Sequence, residues 1–407
     1  VKITSNQGKT QSKQPNIENT KPNIVKRPPP DDFGRGSLES LPEYDPNSEK
    51  KWQGDLRGYN LSSLNLSDKL ETLKNSSFDN KTKWPEKLPN GFNPEKIMEI
   101  NKNPGLAIKS LHNKGITGKG INIAIIDYTL LVDHVEYGDR VKMYEEIHCL
   151  DKRAQMHAPA VASLAVGKSV GVAPEANLYF IGSSNFNPLE GGPEIDFTHT
   201  AKAIERIIEI NRTLEQNDKI RVLSISACWC PENKGYKEIE KAVGNAKEEG
   251  IFVVSANMFK DYHFYYRGLQ KDALSDPDSL SSYSTIPWDK WIPLVKHIGG
   301  FDKYYEAEYA KNAPNEILMV PIDSRCTASP TGNEDYVFYR FGGWSWVEPY
   351  LAGVYALACQ VNPSITPEVF WKEALDTGDL MKFKDGSKEH SGKIINPVKL
   401  IKKLQVK

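Results

Sequence analysis

The chain has 407 residues, enough to bury a full-sized core in one large catalytic domain with an extension. Hydrophobic residues make up 39% and charged residues 26%, and no apolar run approaches the roughly 20 residues that span a bilayer, so no transmembrane segment is expected. A net charge of −1 supplies no field to draw nucleic acid or an anionic membrane, so neither is expected as a partner.

Residues 1–46 are rich in Lys, Asn, Pro and Ser and almost without apolar side chains. Burial cannot offset the ordering entropy of such a stretch, so a flexible polar leader is expected. It has the composition of a tether that follows a removed export signal, which points to an extracellular or cell-surface protein. Residues 47–103 read as an N-terminal arm packed on the main domain. Within the arm, Asp55–Leu66 carries a faint five-residue repeat centred on leucine, too short to stack into a solenoid.

From Gly105 onward strands and helices alternate, and residues 104–407 read as the catalytic domain. Ile121–Ile126 is almost wholly apolar and β-branched and ends at Asp127. Leu178–Ile181, Arg221–Ser226 and Ile251–Ser255 have the same character, which suits strands buried on both faces. Between them, Ile204, Ile207 and Ile208 share one helical face, as do Ile239, Ala242, Val243 and Ala246. Thr366-Pro367-Glu368 is a cap-and-start signal and Gly378 a stop. This alternation predicts an α/β fold with a mostly parallel sheet and helices on both faces. Reactive groups in such sheets gather beyond the carboxyl ends of strands, where Asp127 should sit.

The five cysteines (Cys149, Cys228, Cys230, Cys326 and Cys359) are too few and too scattered for a disulfide framework. Cys228 and Cys230 have no matching pair at zinc-ligand spacing, so they read as packing residues. No calcium-ligand spacing stands out either. No metal or other cofactor is expected.

Three polar residues sit where chemistry is favoured. Ser345 precedes an all-apolar helical run, and Pro349 fits only the first turn of that helix, so the serine lies at or near its N-terminus. There the helix dipole and free N–H groups favour developing negative charge. His157 stands at the mouth of a second apolar helix with an early proline, Pro159. Taken singly, Ser345 and Asp127 could be caps and His157 a structural histidine. Taken together, a hydroxyl, a base and a carboxylate are what acyl transfer requires, because the serine needs a proton acceptor and the imidazole needs an anion to fix its tautomer. Their order, Asp then His then Ser, is the order subtilisin uses.

Longer stretches carry a family resemblance. Gly118–Asp127 resembles the subtilase block that leads into the catalytic aspartate, and His134 matches the histidine that follows it. His157–Gly167 is similar to the catalytic-histidine block, Gly171–Tyr179 to a sheet segment, and Gly343–Gly353 to the catalytic-serine block. The resemblance runs from about Gly115 to Gly378 and implies a three-layer subtilisin-like fold. It further implies a serine endopeptidase acting on a peptide or protein substrate, with Asp127, His157 and Ser345 as its triad. By the same resemblance Asn257, in Val253-Val254-Ser255-Ala256-Asn257, is the oxyanion-hole donor together with the backbone N–H of Ser345. Asn257 as the cap of a turn is the other reading.

Departures from the family cluster around substrate. Ala158, Pro159 and Ala160 replace Gly, Thr and the second His, Trp344 and Trp346 flank Ser345, and Glu348 replaces a serine. Ser226-Ala227-Cys228-Trp229 stands where the wall of the primary specificity site ends in two glycines. Trp229 is therefore expected to narrow or reshape that site. The aromatic-rich stretch with Tyr262, His263, Phe264, Tyr265, Tyr266, Trp288 and Trp291 either lines the groove or forms a satellite core. These changes leave a second reading open, a non-catalytic binding or regulatory protein on the subtilase fold. An esterase or transpeptidase would use the same three residues with a different acyl acceptor.

Overall fold

A computed structural model describes residues 21–48, 53–189, 192–286, 300–385 and 387–405. In the strand Asn122–Asp127 (β1), Ile123 and Ile125 face one core, Ala124 and Ile126 face another, and all four are buried. That two-sided burial is what a continuous apolar run encodes, since successive side chains on a strand point to opposite faces. The other strands of the sheet are Val141–Glu146 (β2), Asn177–Gly182 (β3), Ile220–Ile225 (β4) and Phe252–Ser255 (β5). They lie in the order β5-β4-β1-β3-β2, and every pair is parallel.

Helices cover both faces. On one side lie His157–Val166 (α1) and, later in the chain, Val347–Val361, which shares its core cluster. On the other lie Thr198–Thr213 (α2) and Tyr236–Glu248 (α3), whose Ile204, Ile207, Ile239 and Val243 pack on Ala124, Leu223 and Val253. The expected three-layer α/β arrangement, helices on both faces of a parallel sheet, is the one observed. Val347–Val361 is called α4 below. The cap-and-start signal at Thr366 also holds, with Thr366 Oγ1 accepting from the Val369 N–H at the head of Pro367–Thr377.

Two larger sheets among the others extend the domain. One is a five-stranded mixed sheet in the order Tyr283–Thr285, Tyr266–Lys271, Glu316–Pro321, Lys388–Ile394, Asp379–Asp385. The other joins the arm to the domain, with Ser76–Asp79 pairing against Tyr336–Phe341 so that Phe78 opposes Phe338. Around these two rings the arm buries Leu56, Leu61, Leu73, Phe92 and Ile97 in a small core of its own. Truncating Phe78, which is fully buried there, should cost about 3–5 kcal/mol.

The polar segment before the arm departs from the expected flexible leader. Its first 20 residues lie outside the described ones, but Ile24 bridges Tyr144, the Val25 N–H donates to the Tyr144 carbonyl at 3.0 Å, and Lys26 pairs with Glu146 at 2.7 Å. Farther on, the Asp31 N–H donates to the Pro330 carbonyl at 2.8 Å. The reason is that β2 is an edge strand whose open main-chain groups accept a neighbour whatever its side chains are.

Candidate active site

Asp127 is the last residue of β1 and His157 the first of α1, so a strand end and a helix start deliver them to the same place. His157 Nδ1 stands 2.8 Å from Oδ1 and 2.9 Å from Oδ2 of Asp127. An ionised carboxylate only accepts, so Nδ1 carries the proton and Nε2 is left as an acceptor. Asp127 Oδ1 also accepts the Tyr128 N–H at 2.9 Å, and Gln155 Oε1 holds the His157 N–H at 2.7 Å. Tyr128 meets the imidazole edge-on at 5.9 Å, and Trp346 lies 5.6 Å from it, so the ring is held on two sides.

Ser345 sits in a short 3-10 turn, Trp344–Trp346, that leads directly into α4. Glycine is needed just before it. Gly343 has φ +68°, and a Cβ at Gly342 would stand 2.0 Å from Nε1 of Trp346. The turn is tied to the sheet by the Ser226 hydroxyl, which donates to the Ser345 carbonyl at 2.9 Å.

The three side chains share one cavity of about 290 Å³ at the carboxyl end of the sheet, lined by Asp127, His157 and Ser345. Its walls include Ile195, Phe197, Ile225 and Trp344, so it is largely apolar. A second cavity, about 310 Å³, is also lined by His157 and Ser345 and is walled by arm residues Arg57, Asn75 and Ser77. Among the described residues, no hydrogen bond joins the Ser345 hydroxyl to the imidazole. Such contacts are commonly loose until substrate binds.

The expected wall residues divide. Ser226, Ala227 and Cys228 line the first cavity. Trp229 does not, which corrects the expectation that it narrows the site. It is fully buried in the α2–α3 core, 5.7 Å from the ring of Phe197, with its indole N–H on Glu240 Oε1 at 2.7 Å. A large ring with one polar handle is better placed there than against solvent.

Asn257 is the second correction. Its side chain is fully buried, with Oδ1 accepting the Trp229 N–H at 3.1 Å and Nδ2 donating to the Trp229 carbonyl at 2.8 Å. Ala256, not Asn257, lines the cavity. The amide is thus used to pin the chain that follows β4, and no hydrogen bond joins it to Ser345 among the described residues. His134 is likewise structural. It is buried, its Nε2 donates to the Asp335 carbonyl at 2.8 Å, and its Nδ1 accepts the Glu136 N–H at 3.2 Å. Burial lowers its pKa.

The aromatic stretch forms core rather than groove. Phe264 stacks on Trp371 at 4.6 Å, and Tyr265 packs on Tyr309 at 5.1 Å. Trp288 and Trp291 fall outside the described residues. Among the described residues none of the five cysteines forms a disulfide, and all but Cys149 are buried. Burial raises the Cys359 thiol to about 12.

Sequence reasoning missed several residues of the site. Tyr128, Asn185 and Thr200 line the first cavity, and the Tyr128 hydroxyl donates to Asn185 Oδ1 at 2.8 Å. Arg57, Asn75 and Ser77 reach the second cavity from the arm. Only Tyr128 had a signal, its place directly after Asp127. No helix among the described residues is long and apolar enough to cross a membrane.

Comparison with solved structures finds weak overall similarity. The prenylagaramide maturation protease PagA matches at 16% identity and TM-score 0.49, covering 73% of this chain and 98% of its own. The PatG macrocyclase domain matches at 14% and 0.45, covering 74% and 95%. A cold-adapted subtilisin-like serine proteinase matches at 16% and 0.43, covering 68% and 89%. The profile of the subtilase family matches residues 118–278, the segment that holds Asp127 and His157. Over that segment the chain is similar to the subtilase family.

Proposed function

We propose that this protein is a serine endopeptidase that hydrolyses peptide bonds through Asp127, His157 and Ser345. The observation that carries the reading is the His157 Nδ1 contact with the Asp127 carboxylate, at 2.8 Å, beside a cavity that Ser345 also lines. With Nδ1 committed as a donor, Nε2 is the atom able to take the Ser345 proton as Oγ attacks a peptide carbonyl. Asp127 stabilises the imidazolium so formed, and His157 returns the proton to the leaving amine. Water activated by His157 then releases the acyl group. The Ser345 backbone N–H, at the start of α4, is the donor for the tetrahedral oxyanion. Substrate lies extended, with the cavity of Ser226 and Cys228 on its acyl side and the arm-walled cavity on its leaving-group side.

One observation favours a second reading, a binding protein on the subtilase fold without turnover. The side-chain amide of Asn257, which would complete the oxyanion hole, is spent on Trp229. Incubating the purified protein with a peptide library decides between the two. New peptide termini with the wild-type chain and none with Ser345→Ala are expected. Equal cleavage by both proteins, or cleavage by neither, removes the proposal.

A further inference from the structure

In the wall of the first cavity a buried carboxyl group has one oxygen without a hydrogen-bond partner among the described residues. Glu348 lies in the first turn of α4, three residues after Ser345, and is 1% exposed. Its Oε1 accepts from the Tyr266 hydroxyl at 2.9 Å, whereas Oε2 has no hydrogen-bond partner among the described residues. The residue lines the cavity together with Ser226, Cys228 and Ser345. A buried acid with an open oxygen destabilises a fold unless something meets it, and a packing role would be better filled by an apolar side chain.

The chemistry around the carboxyl selects the class of group that would meet it. Among the described residues no Lys or Arg lines the cavity, and Asp127 is the other acid in its wall. An anion is therefore disfavoured and a cation favoured. The apolar surfaces of Ile195 and Phe197 suit the methylene stem of a long basic side chain, whose charged head needs an acceptor at its tip.

We propose that Glu348 is a specificity-determining residue that receives the ammonium or guanidinium of a substrate Lys or Arg on the acyl side of the scissile bond. This rests on the peptidase reading above and deepens it. Burial, with Asp127 adding to it, raises the empty carboxyl to about 8 despite the Tyr266 hydrogen bond. A bound cation reverses that balance, so the carboxylate forms as the substrate enters and its proton leaves to solvent.

The test is a cleavage profile over peptides that differ only in the residue before the scissile bond, run on the wild-type protein and on Glu348→Gln. The wild type should cleave after Lys or Arg with kcat/KM on the order of tenfold to a hundredfold above Leu or Phe. In Glu348→Gln that ratio should fall at least about tenfold. Should the variant not fold, n-butylamine and n-butanol as competitors of wild-type cleavage give the same information. Inhibition by the amine alone supports the proposal, and equal inhibition by both overturns it. Wild-type cleavage after apolar residues at least as fast as after Lys or Arg overturns it too, while leaving Ser345 as the nucleophile. A wild-type protein that cleaves no peptide removes the peptidase reading and this proposal with it.

Discussion

His157 Nδ1 touches both oxygens of Asp127, at 2.8 and 2.9 Å, although the two residues are 30 apart in the chain. The carboxylate is nearly enclosed and the imidazole partly open, so one end of the pair is fixed while the other faces the cavity. Asp127→Asn keeps the shape but can present an N–H to Nδ1, which selects the wrong tautomer. Turnover should fall by about 10³–10⁴-fold with little change in the melting temperature. Steady-state kinetics beside thermal melting checks this, and a drop under tenfold contradicts it.

Asn257 should behave as a structural residue. Its amide makes two hydrogen bonds to the Trp229 backbone in a fully buried setting. Asn257→Ala should therefore cost roughly 1–3 kcal/mol of stability in urea unfolding, with kcat reduced less than about tenfold. An oxyanion donor would show the opposite pattern, a loss of about 10²–10³ in kcat at unchanged stability.

Glu136 links stability to pH on the acid side. Burial alone would raise its pKa, but it is held below the ordinary value of 4.5 by the Ser169 and Tyr336 hydroxyls, each at 2.5 Å, and by the N–H groups of Ser169 and Val170. A depressed carboxyl stabilises the fold above its unfolded pKa, and that contribution is lost as pH falls through the folded value. Glu136→Gln should thus be destabilised by roughly 1–3 kcal/mol at pH 7, with the gap to wild type closing as pH falls below about 4. Urea midpoints across that range are the readout, and a gap independent of pH contradicts the account.

Glu348 should act with the opposite sign. Its pKa rises from 4.5 to about 8 on folding, so the folded chain keeps a proton that the unfolded chain releases. The stabilising difference is complete below pH 4.5 and declines as pH rises towards 8. Wild-type stability should therefore fall between pH 5 and pH 8 more steeply than that of Glu348→Gln. Parallel curves for the two proteins would show that the carboxyl is not held neutral.

Much of this was legible in the sequence. The runs ending at Asp127 and Ser255 are buried on both faces and carry that fact in an unbroken apolar composition, and the helix at Pro367 declared its start through Thr366. The directions of side chains were not legible. Asn257 and Trp229 follow strand ends, and the first is aimed by the Trp229 backbone while the second is aimed by Glu240 and Phe197, all distant in the chain or on other elements. Gly54–Asp55, a two-residue strand, is too short to show any period, so the arm's approach to His157 left no trace in composition. The docking of Ile24 and Val25 on β2 uses main-chain groups, which every sequence has.

The most direct test of the central claim is active-site labelling of the folded protein with a fluorophosphonate, followed by peptide mapping in a mass spectrometer. The account predicts one covalent adduct, on Ser345, that disappears in His157→Ala. An unlabelled wild-type protein, or an adduct on Ser345 that persists without the imidazole, would contradict it.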